Sequence, residues 1–380
     1  MYHEVLDRLK KSHMYVSIYT DEENTGKFSF GQIINSDEIF YVSKRFSPYG
    51  ETDGIALKRN DRIYHIETNG QYAEKMKKLI DMHSDEQEEG YKFDDKDLVR
   101  SFLLYAKKYN KIVSVEILNS ELLEPIGFVW DICEDICKFQ QLDEYGFEDG
   151  ISYFKLSDIS EIYCDTGDER IYYEVWKHNY KNNKGIGNTS ERKRFENFFG
   201  VLKQLKEESK YVNLYTNIND NSAFIFGKVV SLSADEFVIE QILPNGRPDG
   251  ILLKPTESLF RIETDSKYTK KMESLISEDQ FKGNSNYQLK TAGGIKRGML
   301  QYAQENEKIL SIRLQNNIYV TGFVIDIGEN NVKIMQIDAY GFEDGEAYID
   351  VLNVSEICCN SAYEKVIYDL WNNRYGNQVR

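Results

Sequence analysis

Proline and cysteine are both scarce in this 380-residue chain, with five of each. Five thiols, an odd number, are too few for a disulfide scaffold. Cys133 and Cys137 are four apart, Cys358 and Cys359 are adjacent, and Cys164 stands alone. No Cys-x-x-Cys step offers a zinc clamp, and the five dispersed histidines complete none. Reduced, buried thiols are expected, as in a cytoplasmic protein. No apolar run approaches the ~20 residues of a membrane-spanning helix. The first residues, MYHEVLDRLKKSH, lack the apolar stretch of a signal peptide. Also missing are a glycine-rich phosphate loop, a Gly-x-Ser-x-Gly elbow and a His-Glu-x-x-His helix. No catalytic centre, cofactor or metal is expected.

Acidity and aromatics are what the chain does have. Lys and Arg number 47 against 63 Asp and Glu, a formal charge of -16, and 27 residues are Tyr. With 41% hydrophobic residues there is ample material for a core, which argues against disorder. The charge is unevenly spread. Residues 84–180 hold 23 acidic and 10 basic side chains, whereas 1–83 and 181–276 are nearly neutral.

One phrase occurs four times: PYGETDGIALK from Pro48, EYGFEDGISYFK from Glu144, PNGRPDGILLK from Pro244 and AYGFEDGEAYI from Ala339. Its second glycines, Gly54, Gly150, Gly250 and Gly345, lie 96, 100 and 95 residues apart. That spacing suits a small domain better than a solenoid unit. The first and third copies share YVSIYT with YVNLYT, and the second and fourth share YGFEDG and a GFVxDI step. The order is therefore A-B-A′-B′. Four modules are expected, at 1–83, 97–180, 193–277 and 295–380, with polar linkers at 84–96, 181–192 and 278–294.

Periodicity changes in the same order within each copy. In the second, Leu98, Phe102, Tyr105 and Ala106 recur at helical spacing behind Asp97, a predicted N-terminal cap. Five short runs rich in β-branched and aromatic residues follow, at 111–118, 126–133, 136–142, 150–156 and 159–164. A last helix is predicted from about Asp168 to His178. The phrase itself reads as a turn needing no ligand, because glycine supplies the positive φ of a tight reversal. Its predicted turn residues are Gly50, Asp53, Gly54, Gly146, Asp149, Gly150, Gly246, Asp249, Gly250, Gly341, Asp344 and Gly345.

A helix followed by five short strands in under a hundred residues resembles the Sm-like (LSm) small β-barrel. The resemblance implies an α+β, mainly β fold of four tandem five-stranded barrels, each with an N-terminal and a C-terminal helix. It also implies RNA binding, in which an Asp after the second strand and an Asn four residues later hold a base. Asp326 and Asn330 match that spacing, while Asp131 is followed by Asp135. The family's Arg-Gly or Lys-Gly step is missing from 57–63, 154–159, 253–259 and 349–354.

The expectation drawn from all this is a non-enzymatic cytoplasmic protein that binds a basic partner protein, in the manner of an immunity or antitoxin-like inhibitor or a mobile-element antagonist. Acidic surfaces steer toward basic partners, and Tyr gives contact area at small entropic cost. An RNA or nucleotide binder, and a scaffold joined through barrel edge strands, are the alternatives.

Overall fold

Asp97 accepts a hydrogen bond from the Arg100 backbone N–H at 3.0 Å and opens a helix whose Leu98, Phe102, Leu103 and Ala106 are buried. The apolar spacing and the cap thus act together. The structure, a computed structural model, describes residues 2–24, 26–83, 91–117, 125–180, 195–217, 223–277, 287, 289–290 and 292–376. The linker predicted at 181–192, and most of those at 84–96 and 278–294, lie outside the described residues.

The chain divides into two units, residues 1–194 and 195–380. The first contains α1 (His3–Ser12), β1 (Tyr15–Tyr19), β2 (Ser29–Ser36), β3 (Phe40–Phe46), β4 (Thr52–Arg59), β5 (His65–Thr68) and α2 (Gln71–Met82). The same order follows in α3 (Leu98–Lys108), β6 (Ile112–Ile117), β7 (Ile126–Cys133), β8 (Ile136–Leu142), β9 (Glu148–Lys155), β10 (Ile159–Cys164) and α4 (Gly167–Asn179). The second unit begins with α5 (Phe198–Glu207), β11 (Val212–Tyr215), β12 (Ile225–Leu232), β13 (Glu236–Ile242), β14 (Pro248–Pro255), β15 (Arg261–Thr264) and α6 (Lys267–Ser277). It ends with α7 (Ile295–Glu305), β16 (Ile309–Leu314), β17 (Tyr319–Ile327), β18 (Asn331–Ile337), β19 (Glu343–Asp350), β20 (Val354–Cys359) and α8 (Ala362–Tyr375).

The strands correct the expected architecture of four separate five-stranded barrels. Within each unit the described strand pairings are all antiparallel and the sheet is open. In the first unit the order is β5-β1-β2-β3-β4-β10-β6-β7-β8-β9, so β4 leaves its own copy and pairs with β10 of the next. In the second unit the order is β15-β11-β12-β13-β14-β20-β16-β17-β18-β19, with β14 and β20 making the same crossing. The cores fuse as well. Val238, Ile251 and Leu253, from β13 and β14, are buried in one cluster with Ile295, Met299 and Leu300 of α7. Strand lengths and order are local properties. Which strand covers the outer edge of β4 is a choice between partners about a hundred residues apart, and hydrophobic alternation is blind to it.

Two devices bend the strands. A bulge interrupts the β2–β3 ladder between Ile33 and Asn35, and equivalent bulges follow Val129, Val229 and Val324. Bulges raise local twist and let a wide sheet curl. Three residues before each bulge strand interior, the glycines Gly31, Gly127, Gly227 and Gly322 let the neighbouring strand come close. A methyl group there would sit about 2 Å from a carbonyl oxygen, 2.1 Å from that of Lys44 in the case of Gly31.

The closing helices cover small aromatic clusters. Trp176 of α4 lies 4.8 Å from the Phe128 ring, and Trp371 of α8 lies 4.6 Å from Phe323. Among the described residues, no helix is long and apolar enough to cross a membrane.

Candidate interaction surface

Within the fourfold phrase, the tight reversal belongs to the first glycine. Gly50, Gly146, Gly246 and Gly341 take φ of 72° to 87° and donate N–H to the residue three back, Ser47, Asp143, Leu243 and Asp338. The Asp-Gly step lies three residues further on, inside the strand. Gly54, Gly150, Gly250 and Gly345 also have positive φ, between 67° and 82°. At two of these positions a neighbouring chain segment demands glycine. A methyl on Gly54 would lie 2.2 Å from the Cys164 carbonyl oxygen, and one on Gly250 would lie 2.3 Å from that of Cys359. The aspartate beside each glycine serves the same neighbour. Asp53 accepts from the Gly167 N–H at 3.1 Å, and Asp249 from the Ala362 N–H at 2.6 Å. These are the first residues of α4 and α8, so each carboxylate caps the closing helix of the next copy. Asp149 and Gly150 stand at the same place on β9.

Charge pairs seal these joints. Lys58 on β4 contacts Glu161 on β10 at 3.0 Å, and Arg62 reaches Glu161 at 2.9 Å and Glu116 at 2.7 Å. At the other joint Lys254 lies 2.7 Å and Arg313 2.8 Å from Glu356. Burial alone would raise the pKa of Glu161, but Lys58, a hydrogen bond from Tyr163 and Arg62 together bring it below the ordinary carboxylate value. Tyr163 is pushed the other way, by its own burial and then by Glu161.

The fourth copy of the phrase has no such neighbour. Among the described residues β19 pairs only with β18, its burial pattern is mostly exposed, and nothing lies within 4 Å of a methyl placed on Gly345. Asp344 is exposed. Between residues 326 and 350 there are seven carboxylates and one lysine, Lys333. Lys333 sits 2.8 Å from Glu346 and over the Tyr348 ring at 5.4 Å. The turn displays two further rings. The Asp338 carboxylate accepts from the Tyr340 and Phe342 N–H groups at 2.9 and 2.8 Å, fixing a loop in which Tyr340 is 71% and Phe342 44% exposed. Tyr348 is 70% exposed. Phe342 already carries the Arg374 guanidinium at 3.8 Å, while Tyr340 and Tyr348, half-wet amid carboxylates, suit contact with an apolar and cationic surface.

Asp326 and Asn330, the residues matched to a base-holding motif, lie on neighbouring elements. Asp326 is on β17 opposite Lys333, while Asn330 is in the β17–β18 turn, where its carbonyl accepts from the Val351 N–H. Both are exposed, and neither lines a described cleft. The clefts are open. One of about 490 Å³ is lined by Lys44, Glu51, Asp81, His83 and Arg170 among others, and one of about 240 Å³ by Lys308, Glu364 and Tyr368 among others. Among the described residues no group of three His, Cys, Asp or Glu side chains could hold a metal. Among the described residues no disulfide forms, and burial pushes Cys137 well up and Cys359 to about 12, so both are protonated at neutral pH.

Charge alone does not single out this edge. Residues 130–154 of the second copy also hold seven carboxylates and one lysine, Lys138, with Tyr145 and Phe147 exposed. What differs is the strand: the centre of β9 is buried and that of β19 is exposed, which no local sequence signal marks.

No protein-family profile matches the chain, and no curated protein matches it. Among solved structures, the crystal structure of YcgR in complex with c-di-GMP from Escherichia coli is similar over 47% of this chain and 88% of that one, at 9% identity. Its TM-score is 0.10, too low to carry an argument about fold or ligand.

Proposed function

We propose that this chain is a non-enzymatic protein-binding module whose working surface is the acidic, aromatic edge formed by β18, β19 and the turn between them, and that its partner is a basic protein. The observation that carries this reading is the excess of seven carboxylates over one lysine in residues 326–350, set around Tyr340, Phe342 and Tyr348. An exposed edge strand offers a row of backbone donors and acceptors to an incoming strand. Carboxylates along it speed encounter with cationic partners and disfavour acidic ones. A cytoplasmic inhibitor of a basic enzyme would use such an edge.

The test is a pull-down from the native host with the wild type and an Asp344→Asn/Glu346→Gln variant, at low and high salt. A basic protein retained at low salt, shed at high salt and lost in the variant supports the reading. Equal recovery by both forms, or recovery of nothing stoichiometric, contradicts it.

A further inference from the structure

The joint within each unit defines what an occupied edge looks like, and both halves of that pattern recur unoccupied among the described residues. At an occupied joint, a fourth strand with a buried centre (β4 or β14) pairs with a fifth strand (β10 or β20). The partnered pairs are Ile55 with Cys164 and Leu57 with Ile162, and likewise Ile251 with Cys359 and Leu253 with Ile357. The fourth-strand aspartate then caps the helix that follows the fifth strand.

β19 is a fourth strand left exposed. β5 is a fifth strand left exposed: it pairs only with β1 among the described residues, and three of its four residues face solvent. The helix that follows it, α2, starts at Gly70 with no side chain capping it, whereas α4 and α8 both carry capping boxes and a cross-copy aspartate. So the second unit has a strand and a carboxylate without a described helix to cap, and the first has a strand and a helix without a carboxylate. Charge does not oppose the match: from His65 to Met82, β5 and α2 carry three lysines and three acids, whereas residues 326–350 are strongly acidic.

Resting on the docking edge proposed above, we infer that the surface it meets is β5 and α2 of a second copy of this chain: β19 of one molecule pairs antiparallel with β5 of the next. Transferring the internal register sets Glu346 opposite Thr68 and Tyr348 opposite Ile66, and brings Asp344 to the N–H of Gln71 at the start of α2. Gly345 then gives the close approach that Gly54 and Gly250 give inside the chain. The contact is head-to-tail, so each added molecule presents a fresh β19 or β5, and assembly continues until a ring closes or a filament grows.

Sedimentation over a wide range of protein concentration tests this. The average mass should rise above the 44.4 kDa of the monomer as concentration increases. Asp344→Ala should weaken association about fivefold through loss of the cap, and Gly345→Val should abolish it. Because the valine variant carries strain at positive φ, a second measurement protects the test. Glu346→Cys chains mixed with Thr68→Cys chains should form a disulfide-linked pair under mild oxidation, and neither variant alone should do so. A chain that stays monomeric at every concentration overturns the inference. So does a mass increase untouched by both β19 variants, or a 346–68 disulfide that forms only within one doubly substituted chain. A monomer that still captures a basic host protein in an Asp344-dependent way overturns self-pairing and leaves the proposed function standing.

Discussion

Asp53 accepts a hydrogen bond from the backbone N–H of Gly167, 114 residues further along the chain, at 3.1 Å. Asp249 and Ala362 repeat the bond across 113 residues. A four-times-repeated Asp-Gly step is thus a joint between copies at two of its occurrences, and the carboxylate and the glycine have separate tasks.

Those tasks separate by mutation. Asp53→Ala and Asp249→Ala should each destabilise the fold by about 1 kcal/mol, the usual worth of a helix cap. Asp344 caps nothing among the described residues, so Asp344→Ala should leave the urea midpoint of the dilute protein unchanged. Gly345→Ala should cost about 1 kcal/mol for its positive φ. Gly54→Ala should cost at least about 2 kcal/mol, because its methyl also meets the Cys164 carbonyl.

Glu161 sets an acid limit on the first unit. Its folded-state pKa lies below the unfolded value, so its contribution is present above the ordinary carboxylate pKa and is lost as pH falls through the depressed one. Stability should fall as pH drops below about 4.5, the ordinary glutamate value. Glu161→Gln should destabilise by roughly 3 kcal/mol at pH 7, taking the carboxylate from Lys58 while Arg62 keeps Glu116. That variant's stability should also depend less on pH in the acid range. Urea titrations across pH 3–7 measure both.

Much of this was legible one element at a time. Leu98, Phe102 and Ala106 announce α3 because helical spacing is written within a few residues, and Asp97 marks its start. Strands β7 and β8 fall where β-branched and aromatic runs placed them, at 126–133 and 136–142. The joint was not legible. Nothing near Ile55 says that its neighbour is Cys164, and Asp53 looks like a turn residue because Asp-Gly steps commonly are. The helix it caps is distant in sequence and close only after folding.

Core sharing predicts how fragments behave. Residues 1–83 alone leave the long edge of β4 uncovered and remove α3, which packs against β3 and β4. That fragment should show no cooperative thermal transition by circular dichroism, whereas residues 1–194 should show one. Within the full chain Phe128→Ala, which empties the site beside Trp176, should cost about 3–5 kcal/mol.

The thiols offer an independent check on burial. Cys137 and Cys359 should resist iodoacetamide at pH 8 in the native protein and react only once denaturant unfolds it, since burial disfavours their thiolates. Peptide mass spectrometry before and after unfolding reads this directly.

Hydrogen exchange at β19 is the most direct measurement of the central claim that this strand is a docking edge. The outward-facing amides of Glu343–Asp350 should exchange quickly in dilute protein and slow markedly when the partner is bound, with the Asp344→Ala variant showing less protection. β4 and β14, already paired on both sides, should be unaffected. Amides of β19 that exchange at one rate, with and without the bound partner, would contradict the account.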